Sequence, residues 1–123
     1  MNEKIITCGE GAAAVTLRAF FVGEDLSVIL TAGRAHVGAA ALAMPCGENA
    51  EGVTASVSVL TVPGHRDNLP AQEAALRLCK VTGRPVSVTA GLHIDKAAKE
   101  EIKQLMQNAD GAVAQLIDDL GGN

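Results

Sequence analysis

The chain has three histidines, and each follows a segment with the residue pattern of a β-strand. His36, His65 and His93 come shortly after predicted strand ends, and each has a glycine just before it. If the strands run in the same direction, the three imidazoles lie at one edge of a sheet, outside the carboxyl ends of the strands. Proteins with α/β sheets usually bind ligands at that edge.

One chemistry that suits this edge is metal binding. Imidazoles are common ligands of divalent ions, and His36, His65 and His93 could supply three of them. Asp67 and Asp95 lie close enough in sequence to ligate the ion or to orient a ring.

A second chemistry that suits the same edge is anion binding. His65 and His93 each precede a predicted helix, whose first N–H groups attract phosphate. Arg34 and Arg66 lie beside two of the histidines and add guanidinium groups. The glycines that could let a ligand approach the backbone closely are Gly33, Gly64 and Gly91.

These loops also have a purely structural interpretation. A histidine after a strand can simply hydrogen-bond a loop, Asp95 is placed to cap the last helix, and Arg66 and Asp67 could form a solvated pair. The chain has no nucleophile elbow, phosphate loop or dinucleotide-binding fingerprint, and no carboxylate pair is placed for acid–base work. No catalytic residue is predicted.

Hydrophobic periodicity predicts the elements that carry these loops. Period-two alternation indicates strands over residues 15–21, 26–31 and 53–59, and a small-residue run over 37–44 indicates another. Residues 45–52 read as a polar loop that closes a hairpin. Helical spacing over 71–79, a strand over 86–90 and a long apolar stripe over 102–120 follow.

The predicted order is therefore β-β-β-β-β-α-β-α, in the α/β (α+β) class. We expect a mixed, mostly antiparallel sheet of about six strands with two helices on one face. The stretch over 53–90 predicts a parallel strand–helix–strand crossover between neighbouring strands.

Composition limits the classes of function. The 123 residues fit a single domain over 1–123, and 48% hydrophobic content is typical of a globular core. A net charge of −4 with two phenylalanines as the sole aromatics argues against nucleic acid and anionic membranes as partners. Three widely spaced cysteines without a Cys-x-x-Cys pair predict free thiols and a cytoplasmic location.

The sheet face opposite the helices is predicted to carry mainly small hydroxyl side chains. A face open to water normally carries more charge, so a second copy of the chain or a flat ligand could cover it, and a homodimer is favoured. A wet Ser/Thr-rich face is the alternative. The predicted members are Thr16, Arg18, Phe20, Ser27, Ile29, Thr31, Thr54, Ser56, Ser58, Val62, Ser87 and Thr89.

Three segments of the chain together resemble a known family. They are Ala35-His36-Val37-Gly38 with the alanine-rich run after it, Gly64-His65-Arg66-Asp67, and Ala90-Gly91-Leu92-His93-Ile94-Asp95. In this order they are similar to the small D subunit of gallate decarboxylase, the LpdD-like prenylated-flavin chaperones. The resemblance extends from about residue 25 to the last helix.

The resemblance implies a non-catalytic carrier of prenylated flavin mononucleotide (FMN). Such a protein holds the cofactor between a flavin prenyltransferase and a UbiD-type decarboxylase of gallate-like hydroxyarylic acids. It implies functional roles for His36, His65 and His93, with Asp67 and Asp95 beside them. The phosphate would be held directly or through a divalent metal ion. Because the chain has no Trp or Tyr, contacts to the flavin ring would rest on aliphatic groups or a Phe.

Two other functions remain open on the sequence. A protein-assembly module without a small ligand would use the same sheet face as an interface. A small metal-dependent hydrolase would activate a water molecule on a histidine-bound ion.

Overall fold

The computed structural model of the chain describes residues 3–64 and 66–121. Their order confirms the predicted fold class. The elements are β1 (Glu3–Cys8), a 3-10 turn (Gly11–Ala13), β2 (Val15–Val22), β3 (Asp25–Gly33), β4 (Ala39–Asn49), β5 (Gly52–Thr61), α1 (Asn68–Thr82), β6 (Val86–His93) and α2 (Lys99–Gly121).

The strands form one mixed sheet in the order β1-β2-β3-β6-β4-β5. β1, β2 and β3 are an antiparallel meander, β6 pairs with β3 in parallel, and β4 pairs antiparallel with both β6 and β5. β5 and β6 therefore point in the same direction, as predicted for the crossover. The expectation that they are neighbours is wrong, because β4 lies between them.

Both helices pack on the same sheet face and enclose the core. α1 packs on β4, β5 and β6, and α2 packs on β1 and β2. The weak strand propensity of alanine is overridden at Ala39, Ala41 and Ala43, which are buried. α1, which packs on β4, also buries the small residues Ala71 and Ala75, so both elements contribute small side chains to the core. Within the described residues, no helix has the length and apolar character that crossing a bilayer requires.

The β4–β5 hairpin is longer than predicted. The polar stretch over 45–52 is not a loop, because β4 continues to Asn49 and β5 begins at Gly52. A register shift between Pro45 and Gly47 forms a bulge, which lets a proline and a glycine remain inside a paired strand. The turn itself is stabilised by the Asn49 side chain, whose Oδ1 accepts from the Glu51 N–H at 2.9 Å.

The sequence predicts the end of α1 and the start of α2. The structure confirms the first of these helix ends and contradicts the second. Gly83 ends α1 as predicted, in the left-handed region with φ 68°, and its N–H donates to the Cys79 carbonyl at 2.8 Å. The prediction that Asp95 caps α2 is wrong, because α2 begins only at Lys99. Glu101 Oε1 instead accepts from the Ala98 N–H at 3.0 Å, which satisfies one of the N–H groups at the helix start.

Candidate functional site

Three loops meet at one rim of the sheet. β3, β5 and β6 all end there, since β3 is parallel to β6 and β5 points the same way. His36 follows β3, and His93 is the last residue of β6. Their rings lie 6.1 Å apart between centroids, edge to face, and the Arg34 N–H donates to the His93 carbonyl at 3.1 Å. His65, which follows β5, lies outside the described residues.

A buried carboxylate joins these loops. Asp67 precedes α1 and is 4% exposed, yet its side chain makes no capping bond to the helix. One carboxylate oxygen accepts from the Leu92 N–H at 2.9 Å, and the other lies 3.0 Å from Nε2 of His36. Asp67 thus connects the β5–α1 loop, the end of β6 and the β3–β4 loop.

Both ring nitrogens of His36 face oxygen atoms that can accept a hydrogen bond. Nδ1 lies 3.0 Å from the Arg34 carbonyl oxygen, and Nε2 faces Asp67. Both partners are acceptors, so the ring makes both bonds when both of its nitrogens carry protons. The Leu92 N–H and the positive end of α1 stabilise the charge on Asp67. With both protons present, His36 and Asp67 form an imidazolium–carboxylate ion pair.

Glycines let the loops pack against one another without side chains between them. A Cβ on Gly91 would lie 1.6 Å from the His36 carbonyl oxygen, and one on Gly38 would lie 1.8 Å from Oδ2 of Asp67. A Cβ on Gly33 would lie 1.9 Å from the His93 carbonyl oxygen. The close approach that Gly33 and Gly91 permit is therefore between two parts of the protein.

A second, exposed carboxylate lies across the rim from Asp67. Oδ1 of Asp95 accepts from Nε2 of His93 at 2.7 Å and from a guanidinium nitrogen of Arg34 at 3.3 Å. The hydrogen bond from His93 and the charge of Arg34 hold the pKa of the Asp95 carboxyl below its ordinary value of 3.8. A guanidinium group and an imidazole from different loops thus converge on one carboxylate oxygen.

Beside these donors a cavity of about 320 Å³ opens between the first turns of the two helices. Gly64, Arg66, Asp67 and His93 line its polar side. Its apolar wall consists of Pro70, Leu92, Ile94, Ile102, Leu105 and Met106. A compact cavity with an apolar wall and a few convergent polar groups is typical of a small-molecule site.

The donor set fits an anion better than a metal ion. Both ring nitrogens of His36 already face protein acceptors. Among residues 3–64 and 66–121, no group of three or more His, Cys, Asp or Glu side chains is placed to hold an ion. The metal site predicted from His36, His65, His93, Asp67 and Asp95 stays a prediction, since His65 lies outside the described residues.

The structure brings the other predicted site residues together at this rim. Arg34, His36, Asp67, His93 and Asp95 are joined by hydrogen bonds or ring contact, and Gly64 and Arg66 line the adjoining cavity. The alternative of a solvated Arg66–Asp67 pair is wrong for Asp67, which is buried.

Sequence reasoning missed the apolar wall of the cavity. Ile102, Leu105 and Met106 belong to the helical stripe that predicted a core contact, and Leu105 is indeed buried. Ile102, in the first turn of α2, is 49% exposed and lines the cavity instead of entering the core. Periodicity alone cannot separate a cavity wall from a core.

Asp67→Asn tests the protonation of His36. The new amide oxygen can still accept from the Leu92 N–H, but the amide nitrogen donates to Nε2, so the ring becomes neutral with its proton on Nδ1. ¹⁵N NMR is expected to show a protonated Nε2 in the wild type, where this nitrogen faces the Asp67 carboxylate, and an unprotonated Nε2 in the variant. Asp110→Asn, at an exposed position of α2, should leave the His36 signals unchanged.

The contacts of Asp67 also predict that removing its carboxylate destabilises the folded protein. Asp67→Ala removes both acceptors and leaves a charged ring without its partner, which is expected to lower the free energy of unfolding by about 3–5 kcal/mol. An unprotonated Nε2 in the wild type, or an Asp67→Ala variant as stable as Asp110→Asn in urea, would contradict the ion pair.

The Asp95 carboxyl should titrate below its ordinary range. Its pKa is lower in the folded than in the unfolded chain, so its contribution to stability is present above pH 3.8 and is lost as the pH falls through the folded pKa. In ¹³C NMR titrations, His93→Ala is expected to raise this pKa toward 3.8, and Arg34→Ala to raise it less. An Asp95 carboxyl that titrates at 3.8 in the wild type rules out the arrangement.

Comparison with known proteins agrees with this architecture. Residues 9–121 match the family described as the prenylated flavin chaperone LpdD-like domain. No curated protein sequence matches the chain. A chain in the crystal structure of a chaperone complex for yeast 20S proteasome assembly shares the fold, with a TM-score of 0.61 over 99% of this chain and 98% of that one. Its sequence identity is 15%, so the likeness concerns the fold alone.

The family match covers nearly the whole chain and includes all three histidine loops. The chain belongs to the LpdD-like family of prenylated flavin chaperones.

Proposed function

We propose that this protein is a non-catalytic carrier that binds prenylated FMN at the rim cavity and delivers it to a UbiD-type hydroxyarylic acid decarboxylase. The observation that carries the proposal is the convergence of Arg34 and His93 on one exposed anionic oxygen beside a cavity with an apolar wall. Prenylated FMN has the matching chemistry, a phosphate joined to a large apolar ring system.

The phosphate is assigned to the donors that now hold Asp95. Oδ1 of Asp95 occupies the position that a phosphate oxygen would take, and the Asp95 side chain is 72% exposed, so it can move aside. Arg66 lies on the same cavity, and the N-terminal ends of α1 and α2 face this side of the sheet. Cationic side chains and helix N-termini are the groups that proteins use for phosphate.

The ring and its prenyl group are assigned to the aliphatic wall. Phe20 and Phe21 are far from the rim, because they pair with residues at the opposite end of β3. Contacts to the ring therefore fall to Leu92, Ile102 and Met106. The bound cofactor supplies the decarboxylation chemistry to the partner enzyme, and the residues of this chain bind, orient and shield it.

Further parts of the proposal concern partners and location. The carrier receives the cofactor from a flavin prenyltransferase, acts as a homodimer and works in the cytoplasm. An open cavity at the rim suits transfer, because a partner enzyme can approach the ligand without unfolding the carrier. The cysteines support a reducing compartment, since Cys46 is exposed and unpaired with another cysteine among the described residues.

Anaerobic titration with reduced prenylated FMN tests the proposal. We expect saturable binding that chelator does not abolish, weaker by roughly 10–100-fold in His93→Ala and Arg34→Ala, because each removes a hydrogen-bond donor to the phosphate. Arg84→Ala is the matched control, since Arg84 pairs with Asp25 at the opposite end of β3. Ile102→Glu should also weaken binding, while Val81→Glu, at an equally exposed position on α1, should not.

Each result has a defined meaning for the proposal. Absence of binding by folded wild-type protein, with and without chelator, ends the cofactor assignment. Equal losses in Arg34→Ala and Arg84→Ala would end the phosphate assignment while leaving flavin binding in place.

A second candidate is a protein-assembly module without a small ligand. The helix-free sheet face favours it, because Leu42, Met44 and Leu60 are exposed there. Failure to bind flavin together with an intact protein interface on that face would select this function.

A further inference from the structure

The sheet face opposite the helices is lined by unusual side chains for a surface in water. Strand register aligns its residues in rows that cross all six strands. One row reads Ile5, Arg18, Ile29, Thr89, Ala40, Leu60, and the next reads Glu3, Phe20, Ser27, Ser87, Leu42, Ser58. We call this surface the open face.

The open face carries almost no charge. In these two rows, which the structure describes in full, Arg18 and Glu3 are the only charged residues, and they bond to each other at 2.7 Å. At the centre, the Ser87 hydroxyl donates to that of Ser27 at 2.9 Å, so each of these hydroxyls has a partner within the sheet. The chain as a whole carries a net charge of −4. Because the charges on this face neutralise each other, it can still meet an identical face without repulsion.

The open face is also apolar at its periphery. Leu60 is 80% exposed, Ile5 53%, and Leu42 and Met44 nearly half. Aliphatic side chains of this size on a sheet surface usually mark a contact with another protein.

The two rows are self-complementary about one axis. A two-fold axis parallel to the strands, between β3 and β6, places β1 of one copy over β5 of the other. Ile5 then faces Leu60 of the second copy. In the next row Phe20 faces Leu42, while the small Ser27 faces Ser87. The remaining pairs set Ile29 over Thr89, Arg18 over Ala40 and Glu3 over Ser58. No two charged residues face each other, and the largest apolar side chains at the periphery meet apolar partners, which suits an interface between identical patches.

The open face is large enough for a stable dimer. Six strands spaced about 4.8 Å apart and about eight residues long give on the order of 700 Å² per copy. That is close to the roughly 800 Å² per partner of a standard interface.

From these observations we infer that the open face binds a second copy of this chain, face to face, about a two-fold axis that runs along the strands between β3 and β6. This inference rests on the homodimer in the proposed function but not on flavin binding. Its test uses protein without cofactor, so it can fail while the flavin titration succeeds, and the reverse.

Leu42→Lys tests the interface by sedimentation equilibrium of the full chain. The wild type is expected at twice the mass of one chain. In Leu42→Lys a charge is buried beneath Phe20 of the second copy, which should weaken dimerisation about 100-fold or more. Val81→Lys is the matched control, because Val81 is 49% and Leu42 46% exposed in the single chain, and Val81 lies on α1.

A charge pair tests the axis itself. Phe20→Glu combined with Leu42→Lys should restore the dimer, because the introduced carboxylate and the introduced ammonium group then meet across copies. Within one chain, two strands separate β2 from β4, which places these two positions about 14 Å apart. A monomeric wild type well above micromolar concentration, or a Leu42→Lys variant as dimeric as Val81→Lys, overturns the interface. A double variant that stays monomeric overturns the axis.

Discussion

The rim of this protein depends on one buried carboxylate. Asp67 bonds to the Leu92 N–H at the end of β6 and to His36 after β3, while its own backbone begins α1. Three segments distant in sequence are thereby fixed at one end of the sheet. Because a buried charge is costly unless it is hydrogen-bonded, loss of any partner is unfavourable, and the three loops keep a common geometry.

That fixed rim separates two kinds of carboxylate. Asp67 is enclosed and holds the protein together, whereas Asp95 is exposed and lies where Arg34 and His93 converge. The first gives the site its shape, and the second marks the position of the proposed phosphate site. The two helices start beside this point, so the same crossover connections that cover the sheet also provide the cavity and its apolar wall.

The two faces of the sheet differ in their side chains and in what packs on them. The alanine-rich inner face of β4 allows close packing of α1, and the outer face keeps small hydroxyls and exposed aliphatic groups. The strand order places the rows of the outer face symmetrically about the gap between β3 and β6. In the proposed carrier, the cargo sites lie at the rims while the open faces of two copies associate.

Local sequence patterns predict much of the fold and of the site, whereas the remainder depends on contacts between distant segments. Alternation and helical spacing predicted the element order and the face of Ser27 or Thr89, because both are properties of single segments. They could not place β6 between β3 and β4, since strand order depends on packing between distant segments. Pro45 and Gly47 suggested a loop, but a bulge accommodates them. The sequence identifies both Asp67 and Asp95 as site residues, yet it does not say which of them is buried, because burial depends on how distant loops pack together.

The central claim, that Asp67 fixes the rim, can be measured on the wild-type protein by native-state hydrogen exchange at the Leu92 amide. This N–H lies one residue from the end of β6, where amides ordinarily exchange fast. If its bond to Asp67 is as described, the Leu92 amide exchanges as slowly as those of Val88 and Ala90 inside the strand. Exchange at the rate of the exposed loop after β6 would contradict the account.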